Sequence, residues 1–218
     1  LKFAGHPEEA NPALGVRGIR IATANPDLLD HQLSAIAAAA ERTGSSPWVM
    51  APMIATPDEA KDFAEKVRAH GLTPGVMIEV PAAALLAEKV LEHVEFLSIG
   101  TNDLAQYTMA ADRMSADLAT LTDPWQPGVL ALIAITGRAG AAAGKPVGVC
   151  GEAAADPLLA CVLVGLGVTS LSAASAAVTA VGAKLASVTS DQCRIAGEAV
   201  LRTASAADAR AAARAVLG

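Results

Sequence analysis

Aromatic side chains are nearly absent from this chain: two Trp, one Tyr and three Phe make up 3% of it. Its core must therefore come from Ala, Leu, Val and Ile, within a hydrophobic content of 53%. Cysteine is scarce as well. Cys150, Cys161 and Cys193 cannot all pair and show no CxxC spacing, which excludes a disulfide framework and suits a reducing cytosol. Basic blocks are missing and the net charge is −6, so a nucleic-acid partner, which needs clustered Lys and Arg, is excluded. No apolar run is long enough for a membrane. Residues 157–183 carry no charge, but the continuous apolar part is only 158–168, against the ~20 residues a span needs. Ser170, Ser172 and Ser175 in the remainder read as strand and turn. The opening LKFAGHPEEANP lacks the basic-then-apolar order of a signal peptide and has no initiator Met. The expected location is the cytoplasm.

What is present is an alternation of short apolar runs with helical stretches. Strand-like runs fall at 15–22 (with a partly looped alternative), 46–54, 75–79, 95–100, 146–150 and 168–172. Helices are expected over 27–43, from Pro57 to Gly71, and over 82–93, 127–144, 174–187, 190–203 and 206–217, with one more from Pro157. Asn25 or Asp27 can cap the first. Thr56-Pro57-Asp58-Glu59 is a strong helix start, and Asp156-Pro157 follows the same logic. Ser205 with Asp208 reads as a capping box. Alternation of this kind implies a parallel sheet in an α/β fold. Six strand–helix units do not close an eight-stranded barrel. Either the sheet is open and doubly wound, or two units are missing on the N-terminal side.

Three reactive side chains sit where such runs stop. Glu79 ends GVMIE, Asp103 follows EFLSIGTN, and Cys150 ends KPVGVC. Chemistry at strand ends is the layout of a (β/α) barrel mouth. Two carboxylates on neighbouring strands can share one hard divalent cation, and a thiol can hand over a proton. Taken singly, each acid also suits a helix cap or an exposed charge. Glu79 follows four apolar residues, where an unpaired acid is costly to bury. Cys150 alone would suit a small buried hydrophobe, and Asn102 a turn.

GVRGIRI, VMAPMI, GVMIEVPAA, FLSIGTNDLAQYTMAADR and GVCGEAAAD together resemble the C-terminal, phosphoenolpyruvate-binding TIM barrel of enzyme I of the bacterial sugar phosphotransferase system. The resemblance runs in order from about residue 11 to about residue 185. It implies a (β/α)8 barrel of the phosphoenolpyruvate/pyruvate superfamily, truncated to about six of eight units and filling residues 1–218 as one partial domain. The implied missing parts are the first two barrel strands with their arginines, a phosphohistidine domain and a carrier-binding domain. His6, His31, His70 and His93 lie in no context that suits the phosphorylated histidine. The resemblance implies Mg2+ held by Glu79 and Asp103, with substrate bound by Arg17, Asn102 and Arg113. Arg20 is the competitor to Arg17, read as a structural ion pair. Cys150 becomes the general acid that protonates the pyruvate enolate: a thiol of ordinary pKa is mostly protonated at neutral pH. Glu152 is a secondary candidate for orienting its neighbours.

Implied partners are phosphoenolpyruvate and pyruvate, the enzyme's own N-terminal domains, through them the histidine-containing phosphocarrier protein, and a second copy in a homodimer. Pyruvate phosphate dikinase and phosphoenolpyruvate synthase share the barrel and are the first alternative; a Mg2+-dependent aldolase or lyase barrel is the second. One departure stands out: CGE is followed by AAAD where the family leads one to expect LAGD, placing Ala155 at a glycine position. Cys161, Cys193, Met50, Met53, Met77, Trp48 and Trp125 read as packing residues.

Overall fold

The computed structural model describes residues 8–218; His6 lies outside them. Five strands form one parallel sheet whose spatial order follows the chain, β1-β2-β3-β4-β5. They are β1 Trp48–Ala51, β2 Thr73–Ile78, β3 Phe96–Gly100, β4 Val147–Cys150 and β5 Ser170–Ser172. A strand order that never reverses, with crossovers of one hand, puts the connecting helices on one face. That is the winding of a barrel segment; a doubly wound sheet reverses its order at a switch point. Among the described residues, β1 and β5 each pair on one side only.

The sixth expected strand, 15–22, is not one. Gly18–Arg20 forms a 3-10 turn and α1 spans Ile21–Ala24. Gly18 has φ +59°, and a Cβ there would meet Met53 Cγ at 2.9 Å and Pro52 O at 3.1 Å. The segment is thus folded against the turn after β1, with Ile19 N donating to Pro52 O at 3.2 Å. The expected six units are therefore five, and eight-stranded closure would need three further strands, not two.

Most helices follow their expected signals; one, Thr101–Met109, was not expected. α2 spans Pro26–Thr43 and stops at Gly44 in the left-handed region. Asn25 precedes it, but its side chain turns back to Ile21 O and caps nothing. α3, Pro57–Ala69, starts with a complete Thr56/Glu59 capping box. The single helix expected over 82–93 is two, α4 Pro81–Leu85 and α5 Ala87–Leu91. α6 is Thr101–Met109 and α7 is Pro127–Ala143. α8 is Pro157–Gly165, with Asp156 accepting from Leu158 N and Leu159 N. α9, α10 and α11 are Ser175–Ala186, Ser190–Val200 and Ala206–Leu217. The capping box expected at Ser205 is only half formed: Ser205 Oγ accepts from Asp208 N, but the Asp208 carboxylate takes the Ser205 hydroxyl.

The two faces of the sheet differ in kind. Val76, Ile78, Leu97, Ile99, Val147 and Val149 are buried under the helices, as alternation requires. The other face carries small or polar residues: Ser98 beside Gly148, Gly148 beside Ser170, and Cys150 beside Ser172. On the β1 edge of that face Trp48 and Met50 are exposed, so Met50 is not the core residue expected. Trp48 instead leans on Phe96, ring centroids 4.7 Å apart, over Gly75, where a Cβ would collide with the Phe96 ring. Met53 is buried but lies past the strand, in the left-handed region at φ +64°. Trp125 is fully buried; its indole Nε1 donates to Asp156 at 3.0 Å, and the Arg210 guanidinium of α11 lies 5.4 Å over its ring.

In the C-terminal part, α8 and α10 meet backbone to backbone. A Cβ on Gly165 would fall on the Cys193 carbonyl, and one on Gly197 would lie 3.1 Å from the Gly165 carbonyl carbon. Cys161 and Cys193 are buried in this seam, as expected for packing residues; burial, with Cys193 as neighbour, pushes the Cys161 thiol up to about 11.

Candidate functional site

Strand register builds the site. Ile78 pairs with Ile99, Gly100 with Cys150, and Cys150 with Ser172. Continued by one residue past β2, that register sets Glu79, Gly100, Cys150 and Ser172 in one row at the C-terminal end of the sheet, on the face away from the helices. Gly100 is the gap in the row. A Cβ there would stand 3.0 Å from Glu79 Oε2 and 3.2 Å from Met77 Sδ, so its absence opens the space beside the carboxylate.

Glu79 is only 4% exposed. Its Oε1 accepts a hydrogen bond from Met53 N at 2.9 Å. Burial, and then the charge of Asp103, push its pKa up; the Met53 bond and the charges of Arg17 and Arg113 act against that. A buried carboxylate raised in energy by a second one is a setting in which a nearby cation is favoured. Among the described residues no three His, Cys, Asp or Glu side chains gather as a metal cluster. A hard ion with near-octahedral demands would find here two carboxylates at most and would take the rest of its oxygen shell from substrate and water.

Asp103 is not at the end of a strand. β3 stops at Gly100 and α6 begins at once with Thr101, so Asn102 and Asp103 ride on the first helical turn. The amide N–H groups of that turn lack helical acceptors, which favours negative charge there. Asp103 faces two arginines: Arg17 Nη2 at 3.5 Å from Oδ1 and Arg113 Nη1 at 3.7 Å from Oδ2. Both arginines are partly exposed, so these are loose contacts worth little to stability (~0–1 kcal/mol each). Their value is directional, since both guanidinium groups are held near one carboxylate.

Separate devices aim the two arginines. Arg17 precedes the Gly18 turn that seats on Pro52 and Met53, and its Nη1 donates to Tyr107 Oη at 3.2 Å. Arg113 is returned toward Asp103 by Ala110, which leaves α6 with φ +50°, and by buried Gln106, whose Oε1 accepts from Arg113 N at 3.0 Å. Arg20, expected as an ion pair, donates to the carbonyls of Leu14 and Gly15.

Cys150 is half-buried and donates its thiol to Ile99 O at 3.5 Å. Its own carbonyl accepts from Thr101 Oγ1 at 3.0 Å, tying the end of β4 to the start of α6. Gly151 then turns the chain at φ +94°, ψ −164°. A Cβ on it would lie 2.9 Å from Thr101 Oγ1 and 3.3 Å from Asn102 Oδ1, so Asn102 is adjacent to this turn. Glu152 is exposed. Ala155 closes a short 3-10 turn and is not among the residues with positive φ; the glycine expected there is not required.

The structure thus gathers Arg17, Glu79, Asn102, Asp103, Arg113 and Cys150 around the C-terminal ends of β2, β3 and β4. Three participants escaped the sequence reading. Tyr107 was visible only as part of a motif, Met53 contributes a backbone N–H, and Ser172 joins the row through register alone.

Comparison with known proteins identifies the family. The family described as "PEP-utilising enzyme, PEP-binding domain" matches residues 1–190. A phosphoenolpyruvate-protein phosphotransferase of Streptomyces coelicolor is 54% identical over 219 residues, covering 100% of this chain and 39% of that protein. A multiphosphoryl transfer protein of Rhodobacter capsulatus is 45% identical over 85% of this chain and 23% of its own length. A probable phosphoenolpyruvate synthase of Pyrococcus abyssi is 41% identical over 77% of this chain and 21% of its own length. The chain therefore spans well under half of each of these relatives. With nearly nine-tenths of its sequence inside that family match, the chain belongs to the PEP-binding domain family of PEP-utilising enzymes.

Proposed function

We propose that this chain binds phosphoenolpyruvate with Mg2+ and forms part of a phosphoenolpyruvate–protein phosphotransferase. In the larger protein the phosphoryl group passes to a histidine of another domain, for relay to a histidine-containing phosphocarrier protein in sugar uptake, and pyruvate leaves. The observation that carries this reading is the meeting of two carboxylates, two arginines and one thiol at a single sheet end, though they come from segments 17–150 of the chain.

Glu79 and Asp103 are the residues to hold Mg2+. When bound, the ion neutralises charge on the phosphate and enolate oxygens. Arg17 and Arg113 grip the phosphate, for which a planar fork of donors is suited. Asn102 adds an amide at the same helix start. The phosphoryl–oxygen bond breaks toward the incoming imidazole, and the electron pair stays on the substrate as the enolate. Cys150 then supplies a proton to the methylene carbon, giving pyruvate.

The test is calorimetric titration with Mg2+ and phosphoenolpyruvate. Binding that requires both supports the reading; no binding in the intact enzyme overturns it. The 41% identical synthase relative favours one competing reading, a barrel that works with ATP and pyruvate. Supplying the intact enzyme with phosphocarrier protein, or with ATP and pyruvate, separates the two. The homodimer is part of the proposal, with Val178 and Ile195 as exposed apolar side chains on α9 and α10; sedimentation at varied concentration tests it, and a strict monomer refutes it.

A further inference from the structure

Tyr107 is left without a role by the reading above, although it touches Arg17, one of the proposed substrate ligands. It follows Asp103 by one helical turn on α6, so the two share a face. Both meet Arg17: Nη2 faces Asp103 Oδ1 at 3.5 Å, and Nη1 donates to Tyr107 Oη at 3.2 Å. The tyrosine hydroxyl donates its own hydrogen to Ala13 O. Met53 Sδ lies 3.8 Å from the same oxygen.

This wiring fixes a polarity. A hydroxyl has one hydrogen to donate. With it committed to a carbonyl, the oxygen presents lone pairs to the guanidinium and stays an acceptor. The second acceptor matters because a carboxylate on one nitrogen leaves the guanidinium plane free to rotate about that contact. An acceptor on the other terminal nitrogen fixes the plane. Arg17 needs such help: residues 8–17 contain no helix or strand. Beyond Tyr107, that segment is held by Glu9 accepting from Val16 N at 2.8 Å and by Arg20 on the Leu14 and Gly15 carbonyls.

We infer that Tyr107 is a positioning residue that orients the Arg17 guanidinium for the substrate phosphate. The inference rests on the proposal that Arg17 is a phosphate ligand. Tyr107 itself touches no reacting atom, and its effect runs through Arg17.

The experiment is a double-mutant cycle in the intact enzyme, with steady-state kinetics against phosphoenolpyruvate at saturating Mg2+. Tyr107→Phe removes the acceptor and keeps the ring. The expected result is a KM raised roughly 10- to 150-fold, the range for one hydrogen bond to a charged group, with kcat within about 3-fold of wild type. In the Arg17→Ala background Tyr107→Phe should change nothing further. A thermal melt of each variant accompanies the kinetics. An unchanged KM in Tyr107→Phe, when Arg17→Ala is impaired, overturns this inference alone. An equal KM increase in both backgrounds also overturns it, since the tyrosine would then act through the fold. An unimpaired Arg17→Ala overturns the ligand reading and this inference with it.

Discussion

Replacing Gly151 with Ala probes the hinge between the thiol strand and the neighbouring helix. At φ +94° and ψ −164° the residue occupies a region that is essentially glycine-only, and holding an L-residue there costs about 1–3 kcal/mol. The new methyl would also stand 2.9 Å from Thr101 Oγ1, inside any normal contact. Thr101 is 2% exposed and donates to Cys150 O at 3.0 Å. Pushing it aside loses about 1 kcal/mol more. The sum is about 2–4 kcal/mol, and at ~2–4 °C per kcal/mol for a chain of this size the midpoint should fall on the order of 5–15 °C. Gly144→Ala is the control. That glycine is also left-handed, at φ +65° with nothing within 4 Å of a Cβ, so it should lose only about 1–2 kcal/mol. The assay is thermal unfolding by circular dichroism on both variants side by side. If Gly151→Ala melts within about 2 °C of Gly144→Ala, the crowding argument is wrong and the Thr101–Cys150 tie is not a constraint.

Glu79→Gln keeps an acceptor for Met53 N but removes the charge, so it should abolish Mg2+-dependent phosphoenolpyruvate binding, read by calorimetry. It should also change the pH dependence of stability. The folded state raises the pKa of Glu79 through burial and Asp103, so its contribution is fully present below the unfolded value and lost as pH rises through the folded one. Without ligand, the wild type should gain stability relative to Glu79→Gln as the pH is lowered toward 4.5, and stability-versus-pH curves that stay parallel would contradict it. Cys150→Ala should bind phosphoenolpyruvate like wild type yet fail to protonate the enolate; full turnover in the coupled assay refutes the general-acid role. Trp125→Phe strips Asp156 of its indole donor and should destabilise by about 1–3 kcal/mol, measurable as a lower urea midpoint.

Much of the fold was legible because its signals are local. Thr56 to Glu59 reads as a helix start and is one, closed by a complete capping box, and Asp156 with Pro157 starts α8 as expected. Legibility failed where a partner decides. GVRGIRIA is apolar enough for a strand, but strands exist only when paired, and this segment seats on Pro52 and Met53 instead. The whole of α6 was missed because no loop separates it from β3; Asn102, which also suited a turn, and Asp103, placed at a strand end, stand in its first helical turn. The residues named from the sequence do stand near the strand ends, but their arrangement was not legible. The row from Glu79 to Cys150 depends on register, and the Arg17–Tyr107 contact joins residues 90 apart. Neither distance leaves a trace in neighbouring letters.

The glycine-to-glycine meeting of α8 and α10 has a consequence for how this molecule can vary. Where Gly165 sits under the Cys193 carbonyl and Gly197 under Gly165, there is no side chain to repack and no rotamer to yield. Substitution there cannot be absorbed locally; the helices must separate along their length, loosening Cys161, Cys193 and the helical layer above them together. Most of the α-helical periphery should accept replacement freely, whereas this narrow line should reject even alanine.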